Sequence, residues 1–186
     1  MSASSFDVII AGGGIAGQSC ALFLARAHVP VAVFDRSQSS LRRVARVNNY
    51  LGFPDGVGGG ELLDLGRRQA ERFGATFVDA DLTRIERRGD GFVAIAQERE
   101  IESAFVVLAS NKRTDLATQM GLTLGGFGGK FVAVDAEGQA AIPGVYAIGR
   151  ITGIPSQAVI SAGDGAKTAI ALIQKIRGGY YVDHDT

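Results

Sequence analysis

The run Gly12-Gly13-Gly14-Ile15-Ala16-Gly17 follows directly on an apolar stretch, Phe6 to Ala11, and opens a helix-compatible segment reaching about Ala27. No other feature restricts the fold as strongly. Gly12, Gly14 and Gly17 stand in G-x-G-x-x-G spacing between a buried strand and a helix, the context that gives this motif its meaning. The first glycine permits a tight turn, the second lets backbone come close to a diphosphate, and the third lets helix and strand pack closely. Ile15 and Ala16 fall in the first helical turn, whose free N–H groups and positive dipole end attract an anion. Val31 to Phe34 is a second buried strand, ended by Asp35, 18 residues beyond Gly17. A carboxylate there accepts hydrogen bonds from ribose hydroxyls and repels a 2'-phosphate, which argues against NADP. The unit predicts a bound dinucleotide and leaves NAD and FAD open.

Near-continuous apolar strands joined by a helix indicate a parallel sheet with βαβ winding. Beyond a turn-rich loop at Gly52 to Gly60, Glu61 to Phe73 reads as a helix with Leu62, Leu65, Ala70 and Phe73 near one face, and Thr76 to Val78 as a strand. Leu82 to Arg88, Phe92 to Ala96 and Ile101 to Phe105 alternate polar with apolar, with Gly89-Asp90-Gly91 as a turn, and predict an antiparallel meander with one wet face. Phe105 to Ala109 returns to a continuous apolar run. Residues 110–130 are polar and then glycine-rich, and read as a connection. Phe131 to Val134 and Val145 to Ile148 are further strands. A last helix, starting near Ser156, carries Val159, Ala162, Ala166, Ile170, Ile173 and Ile176, with Lys175 and Arg177 suited to its C-terminal end. The expected fold is α/β: a three-layer, Rossmann-like FAD/NAD(P)-binding domain with a parallel sheet and an antiparallel meander.

Length and composition bound the function. The 186 residues hold 19 Lys+Arg against 19 Asp+Glu, 46% hydrophobic residues and 26 glycines without a three-residue period. Collagen-like and disordered classes are excluded, and a single domain is expected. No basic excess exists to neutralise a nucleic-acid backbone, so a small-molecule ligand is the better expectation. Cys20 is the only cysteine, which excludes an intrachain disulfide, a CxxC pair and a cysteine zinc site. Beside Ala21 and Leu22 it reads as a small core residue rather than a nucleophile. No metal site and no catalytic residue is assigned: His28 lies in a loop before Pro30, and His184 in a polar tail, each without a catalytic neighbour. Met1 to Asp7 lacks the basic and apolar regions of a signal peptide, and the apolar runs break before the ~18 residues of a membrane span. The expectation is a soluble protein, with no membrane partner, in a reducing cytoplasm.

Three blocks carry a resemblance that selects between the two dinucleotides. Asn49-Tyr50-Leu51-Gly52-Phe53-Pro54-Asp55-Gly56 followed by Gly60-Glu61-Leu62 is similar to the ENxPGFP-type stretch and G-xEL helix of low-molecular-weight thioredoxin reductases. Ile142-Pro143-Gly144-Val145-Tyr146-Ala147-Ile148-Gly149 resembles their second FAD motif. Gln157-Ala158, followed by Ala162-Gly163-Asp164-Gly165, resembles their C-terminal RQA-x-x-A-x-GxG helix. The blocks span nearly the whole chain in the family's order.

The resemblance implies an FAD-binding flavoprotein of the pyridine nucleotide-disulfide oxidoreductase kind. It lacks the NADPH domain and CxxC that the family inserts between the two halves of its FAD domain. Here those halves are residues 1–110 and 131–186, joined by a short connection. With Cys20 alone, dithiol reduction of thioredoxin is ruled out. By position, Asn49 corresponds to the asparagine near the isoalloxazine, and Gln157 and Ala158 to the helix end pointing at the flavin pyrimidine. The bland alternatives are a turn residue at Asn49 and an N-cap at Ser156. Arg36 and Arg42 join the cofactor-binding set, although Arg42, Arg43 and Arg46 also read as solvated surface. Two positions depart from the family: Gly149-Arg150 stands where it has Gly-Asp, whose carboxylate holds a ribityl hydroxyl, and Ala109-Ser110-Asn111 where it has ATG. Arg150 can donate instead to a hydroxyl oxygen or to the diphosphate. The implied roles are electron transfer between a donor and a partner protein or small acceptor, or a non-catalytic FAD-binding module, either a subunit docking onto a separate NAD(P)H-binding chain or a flavin-dependent regulator. A homodimer is implied as well.

Overall fold

The computed structural model describes residues 4–182, so His184 lies outside the described residues. Strand β1 (Ser4–Ala11) is followed by helix α1 (Ile15–Arg26) and β2 (Val31–Phe34). Helix α2 (Gly59–Arg72) and β3 (Thr76–Val78) complete the first βαβ run. Then come β4 (Arg84–Arg88), β5 (Gly91–Ala96) and β6 (Arg99–Leu108). A short α3 (Asp115–Gln119), β7 (Leu124–Gly125), β8 (Phe131–Val132), β9 (Val145–Ala147) and α4 (Ala158–Arg177) follow. The main sheet runs β3-β2-β1-β6-β5-β4, with β9 also on β6. Strands β3, β2, β1, β6 and β9 pair in parallel, and β6, β5 and β4 antiparallel.

Because successive strand residues point to opposite faces, the apolar runs supply two cores at once. Val8, Ile10, Val33, Val107 and Tyr146 face α1 and α4, where Leu24, Leu172 and Ile173 are fully buried. Ile9, Phe34, Val106 and Leu108 face the other way, against Ile85, Phe92 and Leu116 from the meander and α3. Each buried Leu or Ile is worth roughly 1.5–3 kcal/mol relative to exposure. The three-layer α/β architecture expected from the sequence is the one observed.

Four local expectations differ from the structure. Ile101 to Phe105 and Phe105 to Ala109 are one strand, β6. Its first half pairs with β5 through Arg99 to Ser103, and its second half passes the same edge to β9 through Val106 to Leu108. The pattern changes within one strand because only the second half is covered on both faces. Residues 110–130 are more than a connection: Leu116, Ala117 and Leu122 are buried in the second core. The strand at Phe131 to Val134 shortens to β8, which pairs with β7 in a small sheet of its own. Helix α4 buries Gly165, Thr168, Ala169, Leu172 and Ile173, while Val159 and Ile160 are exposed. Arg177 does act at a helix C-terminus, but that of α1, donating to the Ala27 carbonyl at 2.8 Å.

Helix α4 crosses α1 at close range. A Cβ on Gly165 would collide with the Ala16 carbonyl oxygen, and the Ser19 hydroxyl donates to the Ala162 carbonyl at 2.8 Å. Gly163 on the same helix faces open space. Gly165→Ala should therefore destabilise the protein by ~1–3 kcal/mol in urea unfolding, through overpacking. Gly163→Ala should leave stability unchanged or raise it by up to ~1 kcal/mol, since alanine is the better helix former.

Candidate dinucleotide-binding site

The glycine turn is built from the strand end upward. Gly12 donates to the Phe34 carbonyl at 2.9 Å and adopts a left-handed φ of +115°. A Cβ there would sit 2.5 Å from the Ala109 carbonyl oxygen at the end of β6, so neither dihedral nor space admits a side chain. A Cβ on Gly17 would collide with the Gly12 carbonyl oxygen, which fixes how closely α1 approaches the turn. Gly14 is different: the nearest atom to its Cβ position is the Ser39 hydroxyl, at 3.5 Å. The space beside it is left for something outside the chain. Gly14 is also the N-cap of α1, without a side-chain cap and with no acid in the first turn, so the helix presents bare N–H groups.

A cleft runs across this turn in two joined cavities. The first, of about 210 Å³, is lined by Gly12, Gly14, Asp35, Arg36, Asp81 and Arg113 among others. Asp35 accepts from the Ser37 amide at 3.0 Å through one oxygen, so the other remains for a ribose hydroxyl. The second cavity, of about 270 Å³, includes Gly14, Ile15, Ala16, Gly149, Arg150, Gln157 and Ala158 in its wall. Gly14, Ser39, Ala109 and Asn111 belong to both, which makes the cleft continuous. Among the described residues, Arg150 is the only charged one lining the second cavity. That cavity is bracketed by two helix N-termini, since α4 also starts without a side-chain cap or a first-turn acid, at Gln157. One end of the cleft thus offers a free oxygen of Asp35 to a hydroxyl, among Arg36, Lys112 and an Asp81 paired with Arg113, and the other offers positive ends to an anion.

The structure brings together eleven of the thirteen candidates along this cleft or directly beneath it. Gly17 serves from beneath, through packing. Asn49 sits in the neighbouring loop and donates from its amide to the Gln157 side chain at 2.9 Å, tying the first family-like block to the last. Ser156 is not the N-cap of α4; Gln157 is. Arg42 is the candidate turned elsewhere. Its guanidinium pairs with Asp64 of α2 at 2.8 Å, and that hydrogen bond holds the Asp64 carboxyl below its ordinary range.

Three contributors escaped sequence reasoning. Gly13, the "x" of the motif, lies against Asp35, whose Cβ would be 2.7 Å from a Cβ at position 13. Ser39, which caps the turn at Ser40–Arg43, forms part of both cavity walls. Asn111 stands at φ +61°, the left-handed conformation that glycine or asparagine adopts most readily, and donates to the Ser40 hydroxyl at 3.2 Å. The glycine missing from the ATG-like stretch is thus replaced by the residue type best able to keep its backbone. No signal in one sequence distinguishes these from ordinary loop residues.

Residues 7–44 match the family model described as an FAD-binding domain. A thioredoxin reductase of Streptomyces coelicolor is 40% identical over 87 residues, covering 45% of this chain and 27% of that protein. The mitochondrial thioredoxin reductase 1 of Arabidopsis thaliana is 28% identical over 185 residues, 94% of this chain and 47% of that protein. The chain is similar to thioredoxin reductases, and its residues 7–44 match an FAD-binding model. It spans from about a quarter to about half of the length of these relatives. FAD is accordingly the dinucleotide selected over NAD. The solved thioredoxin reductase of Gloeobacter violaceus shares the fold at a TM-score of 0.90 and 19% identity, covering 100% of both chains.

Cys20 takes no part in the cleft. It is fully buried in α1, and burial first, then Asp164, pushes its thiol far above the ordinary thiol range. A thiol so held is neither a nucleophile nor half of a redox pair. Native protein should leave Ellman's reagent unreacted, and one equivalent per chain should appear only on denaturation.

Proposed function

We propose that the chain is a single FAD-binding domain that carries electrons between a donor and a partner protein or small acceptor, as a cytoplasmic homodimer. Thioredoxin reduction by itself is excluded from this reading, because one buried cysteine supplies no dithiol. The observation that carries the proposal is the polarity of the continuous cleft. Asp35 lies at one end for a ribose, the α1 N-terminus at the middle for a diphosphate, and the uncapped N-terminus of α4 at the other. A positive helix end beside a flavin stabilises the negative charge that reduction brings. Bound FAD would supply the redox chemistry. The chain itself supplies binding and orientation, through Gly12, Gly14, Ile15, Ala16 and Gly17 around the turn and Asp35 and Arg36 at the adenosine end. Gly149, Arg150, Gln157 and Ala158, with Asn49 behind Gln157, would surround the rest.

A second reading has its own support: the chain is an FAD-binding subunit that docks on a separate NAD(P)H-binding protein. Val44 lines the second cavity and is exposed, as are Val159 and Ile160 at the start of α4 and Leu51 in the Asn49 loop. Apolar side chains left open beside a cofactor site suit a partner surface. Among the described residues no helix is long and apolar enough to cross a membrane.

The visible spectrum of the purified protein, with the released chromophore identified by chromatography, tests the common core of both readings. One FAD per chain is the expected result. A colourless protein that also refuses added FAD overturns them. Photoreduction separates the two: electrons passed on to oxygen, a quinone or a disulfide support the carrier. Electrons retained in the presence of all three, with a nucleotide-binding protein co-purifying, support the subunit.

A further inference from the structure

Beside the second cavity lies a buried polar atom for which the chain provides no acceptor. The Arg150 Nε is buried from solvent and has no hydrogen-bond partner, although Arg150 lines the cavity together with Gly14 at the N-terminus of α1. A buried guanidinium N–H left without an acceptor is costly, because the group is charged and has lost its water. No acid lines that cavity to relieve it. The turn that carries Arg150 is itself firmly held. The Gly149 amide donates to Asp164 Oδ2 at 2.7 Å, the Thr152 hydroxyl donates to the Gly149 carbonyl at 2.8 Å, and Lys167 pairs with Asp164 at 3.1 Å. Asp164 is a positioning residue here: its carboxylate, engaged with Gly149 and Lys167, anchors the turn to α4 instead of neutralising the arginine.

We infer that Arg150 is a diphosphate ligand, closing on the FAD diphosphate from the β9 side while the bare N–H groups of α1 hold it from the β1 side. This rests on the FAD reading above and adds to it a charged contact from the second half of the chain. Geometry favours the diphosphate over a ribityl hydroxyl. The anion belongs beside Gly14, in the same cavity wall as Arg150, and a helix N-terminus together with a guanidinium matches a dianion better than a neutral hydroxyl. Lysine keeps the charge but lacks the planar fork, so it should replace arginine only in part.

The test uses flavin-stripped full-length protein and its R150A, R150K and R150D variants, each checked for native circular dichroism. They are titrated with FAD, riboflavin and ADP-ribose. Charge-assisted hydrogen bonds of this kind correspond to about 10- to 100-fold in affinity. R150A should weaken FAD and ADP-ribose by that factor and leave riboflavin unchanged. R150K should recover part of the loss, and R150D should bind FAD more weakly than R150A. Raising the salt concentration should narrow the gap between the parent protein and R150A. FAD bound as tightly by R150A or R150D as by the parent overturns the inference, and so does an equal loss of riboflavin and FAD. If the parent binds ADP-ribose but not FAD, the FAD reading falls while the diphosphate contact is still read from ADP-ribose. If it binds neither, both fall.

Discussion

Everything in this molecule is arranged around two places where backbone touches backbone. At Gly17 the first helix meets the carbonyl of Gly12, and at Gly165 the last helix meets the carbonyl of Ala16. A methyl group at either position would force the layers apart. Because both contacts involve the same short stretch of α1, the strand end, the glycine turn and α4 are fixed relative to one another beside the cleft. The positions of two helix N-termini follow from this, and with them the electrostatics of the site. A binding cleft built on packed elements rather than on loops keeps its geometry without a ligand to organise it.

What one sequence discloses follows from how far apart the determining residues lie. The glycine motif, the first βαβ unit and the acid ending β2 depend on local spacing, and Gly12, Gly17 and Asp35 stand where that spacing puts them. The turn from β6 to β9 could not be read. Whether Phe105 ends one strand or continues it depends on a partner strand some forty residues away in the chain, which the alternation does not encode. The buried face of α4 was misjudged for a similar reason. Val159 and Ile160 are as hydrophobic as Leu172, but they stand exposed in the first turn of the helix while Leu172 is fully buried. Arg42 was placed in the site by proximity in sequence, while Asp64, twenty-two residues on, takes its charge away.

Substitution at a motif position does not by itself erase the function of that position. Asn111 keeps the left-handed backbone that a glycine would have supplied and adds a hydrogen bond across to Ser40. Arg150 is a cation with donors only, so whatever it holds must be an acceptor. The surroundings have the corresponding character. The second cavity contains no carboxylate in its wall, and the nearest one, Asp164, is turned to the Gly149 amide and to Lys167. A positive side chain retained there without a protein counter-charge is intelligible where the ligand brings the negative charge.

The segment from 110 to 132 bears on the same turn. It folds back onto the site, with Leu116 in the wall of the first cavity. Leu116 and Leu122 are buried in the second core, and β7 and β8 form a hairpin whose Phe131 ring lies 3.1 Å from where a Cβ of Gly153 would be. Gly153 closes the turn that begins at Gly149, so this hairpin packs against the turn that carries Arg150. A spacer that only joined two halves would need no buried leucines and no aromatic contact with the turn. The packing indicates that the short segment has become part of the structure that holds the second half of the cleft in position.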